Sequence, residues 1–176
     1  MAQYHYVLSK DTGYDARRIA TSDIYFESDS ERDAARQFFR GLPYVEDVES
    51  ASYPPCIGMS GMRILNESGQ SLFSSRYCVE TENYPKMMGM TMKEGRMARE
   101  RNEAVVNETF AKTMRWGDDV VGRIVHQGNT GLGDLRVVGV LKDFHTASFY
   151  VSQQPLIVRC GRFGGSIHVR LKEPFA

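Results

Sequence analysis

The sequence predicts an α+β fold, and three patterns carry that expectation. A strand, a helix and a second strand follow one another over residues 19 to 52; a strand-rich middle holds only short helices; and strands close the chain. Segregated helices beside mixed strand pairing are the mark of that class. The 176 residues are 41% hydrophobic, enough for one sizeable core or two small packed units.

Residues 19 to 26 alternate enough to form a strand. Ser28-Asp29-Ser30-Glu31 then supplies a capping box for a helix with Ala35, Phe38, Phe39 and Leu42 on one side. Gly41, in the left-handed cap conformation, and Pro43 are expected to end it, before a strand over Val45 to Ser52. Met62–Leu65 and Ser71–Val79 flank Asn66 to Gln70 as a hairpin, and Thr81 caps a helical turn that reaches Met88 and stops at Gly89. Glu103–Asn107 is a short strand whose last residue caps the next helix, with Phe110, Met114 and Trp116 near one face. Arg123–His126 and Leu135–Lys142 form a hairpin around the glycine-rich loop 128 to 134. Residues 155 to 160 and 166 to 171 are expected to close the chain as an antiparallel pair.

Lys plus Arg and Asp plus Glu number 22 each, so no basic field attracts nucleic acid or anionic lipid. No stretch approaches the roughly 18 apolar residues of a spanning helix, and no signal-peptide layout opens the sequence. Cys56, Cys78 and Cys160 lie far apart with no Cys-x-x-Cys, which argues for buried free thiols over a zinc site, with a single bridge left open.

Four histidines are scattered, at 5, 126, 145 and 168. Asp143 beside His145 has the elements of a carboxylate-oriented imidazole, but neither a nucleophile elbow nor a His-Glu-x-x-His helix accompanies it, so a structural corner at a strand end is favoured. The loop at Gly128 to Gly133 lacks the Lys-Ser or Lys-Thr and the following helix of a phosphate cradle. Met87, Met88, Met90, Met92 and Met97 admit a copper(I) site, since soft thioethers select that ion; a core or partner surface competes with it. The segment from Met87 to Met92 is expected to be partly exposed and to serve as packing or partner surface, with Met87, Met88 and Met90 as the candidate surface residues. No catalytic residue, cofactor or metal ligand is assigned.

Val105-Val106-Asn107-Glu108, the Gly122-Arg123 turn and Val137-Val138-Gly139-Val140-Leu141-Lys142-Asp143-Phe144-His145, with Phe149 beyond, resemble the extracytoplasmic core domain of the MacB/FtsX-like family of ABC transporter permeases. Residues 3 to 15 resemble the start of such domains in Bacteroides-like bacteria, where they follow a membrane helix. Val120-Val121-Gly122 departs from the usual Asp-Pro-Ile-Gly, and the methionine richness is this chain's own.

The resemblance implies a porter-like βαβ subdomain built from both chain ends (residues 1–75 and 146–176) around a small β-rich insert (76–145), with the family's final helix and strand missing. It places the chain outside the cytoplasm of a bacterial inner-membrane protein, attached through membrane helices that would precede Gln3 and follow the missing elements. It implies no enzymatic role, ATP hydrolysis on a cytoplasmic ATPase subunit, and movement against a second permease domain or subunit, with a periplasmic adaptor as a further partner. Asp143, Phe144 and His145 are then expected to mark the subdomain junction. A sensor of peptide or lipid is the alternative within the family, and a methionine-rich copper-binding module the alternative outside it.

Overall fold

The structure, a computed structural model, describes residues 12–22, 24, 26–51, 59–128, 131, 133–146, 151–161 and 166–173. Expectations for residues 3 to 11, Cys56 and Phe149 lie outside them.

Strand β1 spans Ile19–Ser22, helix α1 Asp29–Arg40, β2 Val45–Ala51, β3 Ser60–Leu65, β4 Ser71–Glu80, helix α2 Tyr84–Met87 and β5 Met92–Gly95. Then come β6 Glu103–Asn107, helix α3 Glu108–Thr113, β7 Ile124–Gln127, β8 Leu135–Leu141, β9 Leu156–Cys160 and β10 Ser166–Leu171. The class is α+β, as expected.

Pairing runs in a circuit. β4 pairs with β3 across the expected hairpin, β3 with β7, and β7 with β8 across the second hairpin. β8 runs parallel to β6, β6 antiparallel to β9, and β9 parallel to β4, where the circuit closes. Paired residues share a face of a sheet, and each strand of the circuit sends one face inward. Met62, Ile64, Ala104, Val106, Val125, Leu135, Val137, Val140 and Ile157 form one buried cluster there. Phe110 joins it from α3, with Trp116 packed beside it at 5.7 Å between ring centroids. Closing the ring gives each of its strands a partner on both sides.

Outside the ring, β10 lies between β1 and β2, antiparallel to both. Among the described residues, this small sheet joins the ring by strand pairing where Ala51 faces Glu80. Helix α1 covers it: Ala35, Phe39 and Leu42 pack on Val45, Val48, Ile167 and Val169.

Several local expectations need correction. β9 and β10 do not pair with each other; β9 is drawn into the ring by Val105, Val106 and the whole of Arg76 to Glu80, while β10 closes the small sheet. Phe38 turns away from the apolar stripe and is 65% exposed, stacked edge-on against Phe39. Gly41 keeps a right-handed φ of −75°, because its N–H and that of Leu42 satisfy the last carbonyls of α1 by tightening the turn. Ser28 does accept from Glu31 N (3.2 Å), while the Glu31 carboxylate reaches back one residue further than expected, to Glu27 N. Thr81 does not cap α2; its hydroxyl donates to the Glu49 carboxylate at 2.7 Å, and Asn83 holds the cap position.

Candidate functional site

The sequence singled out a corner at residues 143 to 145 and a methionine segment at 87 to 90. The fold brings both against one short stretch, residues 12 to 15.

At the corner each residue has a separate attachment. Both Asp143 carboxylate oxygens accept from Thr109, one from its backbone N at 2.9 Å and one from its hydroxyl at 2.8 Å, so Asp143 supplements the cap that Asn107 provides to α3. The Glu108 carboxylate in turn accepts from Asp143 N, and Lys93 at 2.9 Å, ahead of that bond, holds its pKa below the ordinary range. Phe144 is buried among Leu141, Leu156 and Val158. His145 N donates to Thr12 O at 2.8 Å. The Asp143 carboxylate is thus engaged by Thr109; a carboxylate–imidazole contact among the described residues is His126 with Asp134, 2.9 Å apart near the β7–β8 turn.

In the methionine segment, the expected partial exposure holds for Met90 and Met92 but not for Met87 and Met88. Met87 and Met88 are 4% and 1% exposed, packed with Ala51 and Tyr84. A helix of one turn lying over the β2 end of the small sheet must turn its apolar side chains inward, and Gly89 at φ +69° reverses the chain so that Met90 returns over the same layer.

Residues 12 to 15 fit between these parts. Gly13 takes φ +77°, and a Cβ there would lie 2.8 Å from Phe144 Cβ, so only glycine allows this approach. Tyr14 stands edge-on to Phe144 at 6.2 Å and also packs against the Met87–Met90 cluster. Asp15 N donates to Met88 O at 2.7 Å. Arg170 of β10, 7% exposed, closes the arrangement: Nε donates to Met87 O (2.7 Å) and an η nitrogen to Asp15 O (2.8 Å), while the other lies 3.5 Å from the Asp15 carboxylate. Sequence reasoning missed Arg170, since a buried arginine in a strand announces itself only through the carbonyls that surround it.

Two buried carboxylates anchor the flanks. Glu49 of β2 receives Arg36, Arg40 and Thr81. Glu103 of β6 receives both terminal nitrogens of Arg96, at 2.8 and 2.6 Å, with Arg136 and the backbone N–H groups of Arg99 and Glu100; Arg96 above all draws its pKa down to about 2. Among the described residues no group of three His, Cys, Asp or Glu side chains comes together as a metal site.

The family model for the MacB-like periplasmic core domain matches residues 6–175. The chain belongs to that family. It is therefore the periplasmic, extracytoplasmic core domain of a MacB-like ABC transporter permease. Among solved structures it is similar to the periplasmic region of MacB from Actinobacillus actinomycetemcomitans, at 17% identity and a TM-score of 0.60 over 96% of this chain and 81% of that one. It is also similar to the extracellular domain of the noncanonic ABC-type transporter YknZ from Gram-positive bacteria, at 15% identity and a TM-score of 0.57 over 89% of this chain and 86% of that one. No curated protein matches it. No helix among the described residues is long and apolar enough to cross a membrane.

Proposed function

We propose that this domain is a non-catalytic coupling element: it carries motion driven by ATP hydrolysis on a cytoplasmic subunit into the periplasm, where movement against a second permease domain or subunit exports or extracts a substrate. A periplasmic adaptor is a further partner in this reading, reached through the full-length protein.

The observation that carries it is the grip on residues 12 to 15. In a parent protein where a membrane helix precedes Gln3, this stretch is the first described part of the chain to receive movement from the membrane. It is bonded at once to the ring, through His145 N and Phe144, and to the small sheet, through Arg170. Packed units move as bodies about a few connecting residues, and a stretch fixed to both is where displacement divides between them. We place the two units at the pairing circuit (residues 59–161) and the β1–β10–β2 sheet with α1, joined at Ala51 and Glu80. These limits move the expected boundaries at 75 and 145. Asp143, Phe144 and His145 remain junction residues, with residues 12–15 as their counterpart.

The test is a Tyr14→Ala substitution in the full-length transporter, with Asp143→Ala beside it. Both should lower transport at equal membrane abundance while ATP binding by the cytoplasmic subunit is unchanged. Wild-type transport in both variants would remove the coupling role and leave a structural corner.

A further inference from the structure

The outer face of the ring carries sulfur where a packed sheet ordinarily carries branched hydrocarbon. Cys78 of β4 pairs with Val158 of β9, and Glu80, one step along the same face, pairs with Cys160. On the other side of β4, Ser60 pairs with Tyr77, so Met59, the residue before it, falls beside Cys78 as the register continues. Met90 comes over this face from the reversal at Gly89. Between these side chains is a cavity of about 10 Å³ bounded by Met59, Cys78, Glu80 and Met90, with Tyr84 and Phe144 among its walls. That is room for about one atom-sized guest and excludes any organic ligand.

We propose that this cavity is a binding site for a soft monovalent cation, Cu(I), ligated by the Cys78 thiolate and the thioethers of Met59 and Met90. Thiolate and thioether donors favour Cu(I) over harder ions, which want imidazole, carboxylate or water. Cys78 is a free thiol and 4% exposed; its S–H donates to Ile157 O at 4.0 Å, and the Glu80 side chain lines the same cavity. When the metal enters, the S–H bond breaks and a Cu–S bond forms; the proton passes to Glu80, and no electron is transferred. The charge of the entering cation cancels that of the Glu80 carboxylate, so the copper thiolate and the protonated Glu80 leave the buried face neutral. The proposal is independent of the transport reading, since a coupling domain works with or without this ion.

The test is anaerobic competition between the 176-residue protein and a coloured Cu(I) chelator, with Cu(I) alone as the probe and melting temperature as the fold control. Wild type should take one equivalent from the chelator. Met59→Leu and Met90→Leu keep side-chain volume and remove a donor; each should weaken binding about tenfold and the double variant should lose more. Cys78→Ala should abolish it, whereas Met114→Leu, in the ring interior, should bind as wild type does. If Cys78→Ala does not fold, the two leucine variants decide. Failure of wild type to compete, wild-type affinity in the folded Met59→Leu/Met90→Leu protein, or a loss that follows Cys56 or Cys160 while Cys78→Ala still binds would each overturn the proposal.

Discussion

Phe144 shows how much one side chain does in this domain. It is 3% exposed, fills the outer layer of the ring with Leu141 and Val158, and is the surface on which Gly13 and Tyr14 sit. Phe144→Ala should cost about 3 to 5 kcal/mol in chemical denaturation, toward the lower end if Tyr14 settles into the space. Glu103 tests electrostatics at the same scale. Its ordinary value of 4.5 is drawn down to about 2 in the fold, so its contribution to stability is complete above 4.5 and is lost as pH falls through 2. Replacement by Gln should destabilise the protein at neutral pH, and the gap in melting temperature between wild type and Glu103→Gln should narrow steadily between pH 4.5 and 2. A gap that stays constant over that range would mean the carboxylate charge contributes nothing.

At the scale of elements, α3 is short and holds together through side chains from elsewhere. An isolated helix of six residues does not form in water, because nucleation fixes several dihedrals for few hydrogen bonds. Here Asn107 accepts from Phe110 N and Leu156 N and donates to Gln154 O, while Asp143 accepts from Thr109, so helix start, β6 and β9 share one polar knot. Asn107→Ala should therefore cost more than an ordinary cap, about 2 to 4 kcal/mol, since it also strands the buried N–H of Leu156. Asn107→Asp keeps both accepted bonds and should lose less; urea titration of the two variants separates cap from knot. Ser28, on the exposed start of α1, has no such second role.

For the whole molecule, the ring and the small sheet differ in how they are tied. The ring closes on itself through six strand pairings, while the strand pairing described between β2 and the ring is the one residue pair Ala51 and Glu80, backed by Thr81 on Glu49, by Tyr84 and Met87 against Ala51, and by the Arg170 and Asp15 contacts. Opening the small sheet exposes its own core of Val45, Val48, Ile167 and Val169 and uncovers Tyr84, Met87 and Met88, which pack on Ala51. Amide hydrogen exchange should show β1, β2 and β10 opening at lower free energy than β4, β6, β8 and β9. Equal protection across all of them would make the domain one cooperative unit and weaken its description as two bodies.

The sequence by itself determined the α+β class, both hairpins, the caps at Ser28 and Asn107, the buried run of β8 and the family, because each is written in residues close together in the chain. Periodicity and capping are local, and Asp143, Phe144 and His145 stood out because a buried strand ran into polar residues. The tertiary structure alone decided the rest. The parallel pairing of β4 with β9 joins residues 76–80 to 156–160, and nothing in either segment names the other, since any alternating apolar strand fits beside any other until the ring restricts the choice. The burial of Met87 and Met88 against Ala51, the outward turn of Phe38, and the meeting of Arg170 with Asp15 and Met87 were decided likewise by packing between distant segments. A side chain's partner is set by which distant strand lies beside it, and that neighbour exists only once the chain has folded.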